Sequence, residues 1–286
     1  MLVTPGSKKK AAQRAAQAKS GRGAGGKDME IKNPDVDVVI PISGTMYLEH
    51  LRNCLRHLSR QSFPREDMGV IVSCLMHEAV DDAKLFELCK NHQATVVFTK
   101  PHQKAFNRGY ALNIGARHGS RRMIALLDSD VVLHPDTIKI SVNHCRSAVM
   151  AIIPVARTDK PPSAPVWNGD MLKNPNGWRE FASKFKYERG GFGNAVVQRS
   201  VFEKIHGHDE RFFGWGGIDT DLYYRMLKSG RVINLEDIGA QRALHQQHPA
   251  PPSKKDPEMT KRNRKLLAES KSIVRNPNKW GGVRCL

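Results

Sequence analysis

Short apolar runs alternate with helical periodicity along the first half of the chain. Val36, Val38, Val39 and Ile40 lead into Pro41-Ile42-Ser43-Gly44, which predicts a strand running out into a loop. Leu48, Leu51, Leu55 and Leu58 then recur at helical spacing. Val70 to Leu75 predicts a second strand, 81–91 a helix with Leu85 and Leu88 inward, and Thr95 to Phe98 a third strand. A helix over 106–118 and a wholly apolar strand over 123–127 complete the series. Strand and helix in strict alternation imply an α/β fold, with a mostly parallel sheet flanked by helices. Ligands in such sheets bind beyond the carboxyl ends of the strands. The loop after Ile40 and the residues after Leu127 should therefore converge on one site.

The chemistry begins just past Leu127. Asp128-Ser129-Asp130 puts two carboxylates at the end of a buried strand, a costly placement without compensation. A divalent cation gripping a phosphorylated ligand would supply it, since hard cations take carboxylate oxygens and share their shell with phosphates. The chain has no G-x-G-x-x-G after the first strand and no G-x-x-x-x-G-K followed by Ser or Thr, so dinucleotide and P-loop readings lose support.

Farther along, 149–154 reads as a strand and 158–178, rich in Pro, Asn and Gly, as a long irregular loop of the kind that forms lids. Gly190 and Gly191 permit close approach of the backbone to a ligand or simply a bend into a strand. Phe212-Phe213-Gly214-Trp215-Gly216-Gly217-Ile218-Asp219-Thr220-Asp221 precedes an amphipathic helix closed by Gly230. Asp219 thus falls near a helix N-terminus, where a plain cap and a reactive carboxylate are both at home. A Trp among glycines is a poor core residue and a good flat platform for a sugar. Residues 232–235 predict a last strand, after which come His245 and His248. An imidazole would supply the ligand that the acidic pair lacks, with His245 preferred and His248 the alternative.

Charge changes the picture at the ends. Of a net +18, residues 1–32 carry +6 and residues 253–286 carry +7, leaving an ordinary middle. Residues 1–33, almost without large apolar side chains, should be a disordered basic tail, either an arm for a polyanion or a solubilising extension. Residues 34–250 should form the catalytic domain, and 251–286 a basic segment with a helix, able to order over bound ligand as a lid. No run is long enough for a membrane span and no secretory segment follows the start, so a cytoplasmic protein of bacterial or phage origin is expected. Cys54, Cys74, Cys89, Cys145 and Cys285 show no metal spacing and read as free thiols, mostly buried.

Four of these segments, in this order, resemble the metal-dependent glycosyltransferases of the GT-A fold. The likeness is to β-1,4-galactosyltransferases and to the catalytic domains of chondroitin-synthesising enzymes and polypeptide N-acetylgalactosaminyltransferases. It covers about residues 36–250. It rests on Ile40-Pro41-Ile42-Ser43 followed by Glu49-His50-Leu51, on 106–115 (Phe-Asn-Arg-Gly-Tyr-Ala-Leu-Asn-Ile-Gly), on Asp128-Ser129-Asp130, and on Gly214-Trp215-Gly216-Gly217-Ile218-Asp219 with His245 beyond. The resemblance implies transfer of a hexose or N-acetylhexosamine from a UDP-sugar to a hydroxyl of a protein or glycan, with inversion. It implies Asp219 as general base, and Mn²⁺ or Mg²⁺ held by Asp130 and His245 with Asp128 at the metal or the ribose. It implies donor contacts from Pro41, Ile42, Ser43, Arg108, Asn113, Asp128, Ser129, Gly190, Gly191, Trp215, Gly216 and Gly217. This chain departs from the family where Ser43 and Thr45 replace loop arginines, where Ile218 and Thr220 replace carboxylates that hold the acceptor, and where Arg242 stands near a thioether metal ligand. Two other readings stay open: transfer to modified bases of DNA, and a non-catalytic nucleic-acid-binding protein on this fold.

Overall fold

A computed structural model describes residues 35–43, 47–76, 82–101, 105–168, 174–187, 191–250, 252–269, 272–277 and 279–282. The expected basic tail, Gly44, Thr45, Gly190 and Cys285 lie outside the described residues.

The alternation read from the sequence is realised as β1 (Val36–Ser43), α1 (Leu48–Leu58), β2 (Met68–Leu75), α2 (Asp82–Asn91), β3 (Thr95–Thr99), α3 (Arg108–His118) and β4 (Met123–Leu126). There follow β5 (Val131–Val132), α4 (Thr137–Cys145), β6 (Met150–Ile152), β7 (Val155–Arg157), α5 (Pro175–Ser183), β8 (Ala195–Gln198) and α6 (Arg199–Lys204). Last come α7 (Ile218–Ser229), β9 (Val232–Asn234), β10 (Ala243–His245) and α8 (Pro257–Glu269). Seven strands form the main sheet in the order β3-β2-β1-β4-β8-β6-β9. Every neighbouring pair is parallel except the two that β8 makes, so the sheet is mostly parallel. Apolar side chains on both faces bury against helices, with Val36, Val38 and Ile40 in one cluster and Val39, Ile124 and Leu126 in another.

The first strand runs farther than the sequence suggests. Pro41, Ile42 and Ser43 are ladder residues opposite Ser73, Cys74 and Leu75, not a loop. A proline is tolerated here for a geometric reason. The Val39 carbonyl faces β4 and accepts from the Leu127 amide, and Pro41, two residues on, faces the same way. The β1–β4 pairing ends at Val39–Leu126, so no partner waits for the missing N–H.

One segment anticipated as irregular, and one strand not anticipated, are built into the core. Within the expected loop over 158–178, Trp167 and Trp178 are fully buried and cluster with Phe181 and Leu244. Trp178 Nε1 donates to the Arg242 carbonyl at 2.7 Å, which ties α5 to the strand that carries His245. That strand, β10, is too short for periodicity to reveal. It lies between β5 and β7 in a second sheet of three strands. Cys54, Cys74, Cys89 and Cys145 are free and buried. No helix among the described residues is long and apolar enough to cross a membrane.

Candidate active site

Three elements bring one acid and two histidines together. Asp130 leaves β4 just before β5, and β10 pairs antiparallel to β5 with His245 opposite Val131. The Gln246 amide donates to the Asp130 carbonyl at 2.9 Å. The Gln246 side chain is fully buried, accepting from Asn53 Nδ2 at 2.7 Å and donating to the His50 carbonyl at 3.1 Å. Segment 245–248 is thereby pinned to both α1 and the acidic loop. The result places His248 Nε2 at 3.0 Å and His245 Nε2 at 3.4 Å from Asp130 Oδ2. The two histidines that the sequence left as alternatives meet the same carboxylate.

Electrostatics follows from that geometry. Burial alone would raise the Asp130 pKa, but the hydrogen bonds from His245 and His248 outweigh it and hold the carboxyl well below its usual range. The bond with Asp130 in turn raises His248, against burial. One carboxylate oxygen and two imidazole nitrogens lie within 4.8 Å of one another. Asp130 Oδ1 is buried with no hydrogen-bond partner. An orphaned carboxylate oxygen beside two imidazoles is the donor set a divalent cation would satisfy, so these residues fit such an ion. His50, whose pKa burial lowers, and Tyr47 wall the cluster, their rings 5.7 Å and 5.5 Å from that of His248.

Arg108 organises the other carboxylates. It opens α3, capped by the Asn107 side chain, which accepts from the Tyr110 amide. Its Nε donates to Asp128 at 2.6 Å, one terminal nitrogen to Asp219 at 2.7 Å and the other to the Gly193 carbonyl at 2.7 Å. Asp219 sits in the first turn of α7, after Gly217 at φ 85°. Burial raises its pKa, Arg108 works against that, and Asp128 adds to it, with a net rise. Asp128 is held from the other side by Asn194, which accepts from the Asp128 amide at 2.8 Å and donates to Oδ2 at 3.0 Å. Its carboxylate is thus engaged by Arg108 and Asn194, apart from the Asp130–histidine set.

The remaining expected residues fall into two groups. Gly191 and Gly216 border open space, and the Trp215 ring is 43 % exposed with Lys254 Nζ 5.2 Å from its centroid. Ser129, between the acids, is nearly buried, and Pro41 and Ile42 are buried in β1 with Ser43 half-buried at its end. Asn113 is fully buried and wholly engaged. Its amide donates to the His208 carbonyl and Glu210 and accepts from the His208 amide, which ties α3 to the loop before Phe212. Sequence reasoning missed Gly193, Asn194, Gln246 and Asn53. None belongs to a pattern of its own, because each acts through partners remote in the chain.

Residues 37–205 match the family model for glycosyl transferase family 2. Residues 176–249 match a model described as the N-terminal domain of galactosyltransferase. Among curated proteins, chondroitin sulfate N-acetylgalactosaminyltransferase 2 of Mus musculus is 25% identical over 280 residues, covering 86% of this chain and 46% of the relative. The Homo sapiens protein of the same name is 25% identical over 232 residues, covering 72% and 39%. The chain therefore spans less than half the length of these relatives. Among solved structures, S. aureus TarS 1–349 superposes with a TM-score of 0.55 at 14% identity, covering 82% of this chain and 64% of that one. Its complex with UDP-GlcNAc gives the same score at 12% identity, covering 82% and 65%. The architecture is the GT-A fold, and with a family model matched across more than half its length, the chain belongs to glycosyl transferase family 2.

Proposed function

We propose that this protein transfers a hexose or N-acetylhexosamine from a UDP-sugar to a hydroxyl of a glycan or protein, with inversion at the anomeric carbon. The observation that carries the reading is the meeting of Asp130 with His245 and His248 beside the Asp128–Arg108–Asp219 chain, from segments distant in sequence. Asp130, His245 and His248 would hold Mn²⁺ or Mg²⁺. A cation bound there would supply Lewis-acid neutralisation of charge on the leaving diphosphate. In this reading Asp128 and Arg108 serve the nucleotide, and the exposed Trp215 serves a sugar. Asp219 takes the acceptor proton as the acceptor oxygen bonds to the anomeric carbon. The bond from that carbon to the diphosphate breaks, and its electron pair leaves with UDP. The curated relatives act in chondroitin sulfate assembly by their names, and TarS binds UDP-GlcNAc, which supports a UDP-sugar donor and a glycan acceptor.

A nucleic-acid acceptor is the second reading. A cavity of about 340 Å³ on the basic C-terminal segment is lined by Lys254, Lys255, Lys261 and Arg264 with Pro257 and Thr260. Such a patch attracts phosphates whatever their sequence.

The test is UDP-sugar turnover with and without Mn²⁺, using glycan and DNA acceptors. Wild-type protein is expected to release UDP only with the cation present. Asp219→Asn should lower transfer by about 10²-fold or more while donor affinity holds within a few-fold. Wild-type rates from Asp219→Asn would remove the base assignment. Salt-sensitive transfer to DNA alone would select the second reading.

A further inference from the structure

We propose that Gly193 and Asn194 are positioning residues that set the carboxylates of Asp128 and Asp219 together, independently of the Asp130–histidine cluster. Their role rests on the glycosyltransferase reading. Both residues lie just before β8, whose first residue, Ala195, pairs with Leu126 on one side and Ile152 on the other. The Asn194 carbonyl accepts from the Ile153 amide at 2.9 Å. The backbone there is fixed by the sheet, a rigid base for a site.

Asn194 is 6 % exposed and gives both ends of its amide to one residue, Asp128. That reciprocal pair fixes the Asp128 side chain, and Arg108 carries the constraint onward. All three guanidinium nitrogens are engaged, by Asp128, Asp219 and the Gly193 carbonyl. A planar fork with three fixed partners has one orientation. Gly193 contributes twice, by that carbonyl and by what it lacks. A Cβ at Gly193 would lie 2.9 Å from Asp219 Oδ2, 3.1 Å from its Cγ and 3.2 Å from an Arg108 terminal nitrogen. Gly193 is not among the glycines with positive φ, so the backbone accepts alanine. The conflict is with the ends of two flexible side chains. Glycine is needed here to make room for the base.

The experiment measures steady-state transfer, Mn²⁺ affinity by calorimetry and melting temperature for Gly193→Ala and Asn194→Ala. Gly193→Ala should fold with a melting temperature near that of wild type and lose about tenfold or more in kcat, because a displaced base misses its geometry. Its KM for the UDP-sugar and its Kd for Mn²⁺ should stay within about twofold of wild type. Asn194→Ala should raise donor KM and lower kcat, each by about tenfold, again with Mn²⁺ affinity unchanged. Asn194→Asp keeps an acceptor for the Asp128 amide but sets a carboxylate against Oδ2, and should fall below Asn194→Ala at neutral pH. Wild-type kcat from folded Gly193→Ala overturns the proposal. So does a melting-temperature loss in Asn194→Ala with kinetics intact, since that is a structural role only. Should Gly193→Ala fail to fold, the two Asn194 variants decide. Absence of turnover by wild-type protein with every UDP-sugar overturns the transferase reading and this inference with it. Turnover by wild type with unaffected variants overturns this inference alone.

Discussion

Asp219 shows how one residue's environment sets its chemistry. Its carboxylate is about one-third exposed, yet its pKa is raised by burial, with Arg108 opposing and Asp128 adding to the rise. In the proposed role of general base Asp219 acts deprotonated, so the rate of transfer should fall as pH drops through this pKa. The acid limb of kcat/KM is therefore expected above the ordinary carboxylate range. Arg108→Gln removes the cation that favours the charged form and should move that limb further up. A pH–rate profile of both proteins checks the sign, and a downward shift in Arg108→Gln would contradict it. At this scale the sequence was informative about residue types. It placed Asp130 with His245, and Asp219 on a helix start. The partnership of Arg108 with both Asp128 and Asp219 was not legible, because it depends on how α3 and α7 are placed in the fold.

Among elements, α8 has the clearest consequence for the site. Asn263 is buried, and its Nδ2 donates toward the carbonyls of Phe213 at 3.0 Å, Trp215 at 3.2 Å and Gly216 at 3.1 Å. Gly214, at φ 67°, lies against Met259 so closely that a Cβ would sit 1.8 Å from its sulfur. The helix thus clasps the Gly-Trp-Gly-Gly turn whose last residue caps α7. Asn263→Ala removes a donor shared by three partly buried carbonyls and should cost about 1 kcal/mol of stability. It should also raise donor KM more than acceptor KM, since Trp215, expected among the donor contacts, loses its support. Equal effects on both substrates would argue against that division. A helix in the basic C-terminal segment was anticipated, but its hold on the turn was not. One asparagine on a charged helix carries no signal until the facing carbonyls are known.

For the molecule as a whole, buried histidines held neutral contribute to the loss of stability in acid. Burial pushes His57 down to about 4, with Arg60 adding to the effect. Burial likewise lowers His134 and His208, and both ring nitrogens of His208 lack partners. The unfolded chain binds a proton at each near pH 6.5, while the folded chain resists until lower pH. The stability these three histidines contribute is therefore full above about pH 6.5 and is lost as pH falls toward the folded values. For His57 the window runs from about pH 6.5 to about 4 and corresponds to about 3 kcal/mol at most. His57→Gln should flatten that part of a stability-against-pH curve measured by urea unfolding. An unchanged slope would place the acid sensitivity elsewhere.

Local pattern was enough for the alternation of β1 to β4 with α1 to α3, because each element buries one face and repeats its own period. It was enough also for the acidic pair at the strand end and for the helix behind Gly-Trp-Gly-Gly. Three matters belonged to the tertiary structure alone. The first strand continued through Pro41, because β4 ended before a missing N–H could matter. His245 and His248 both reached Asp130, because a three-residue strand paired with two residues of another and a buried glutamine locked the register. Gly193 and Asn194 came to face Asp128 and Asp219, because an antiparallel strand returned beside β4. Periodicity reports which face of an element is buried. It does not report which residues, far apart in the chain, are brought within a hydrogen bond of one another.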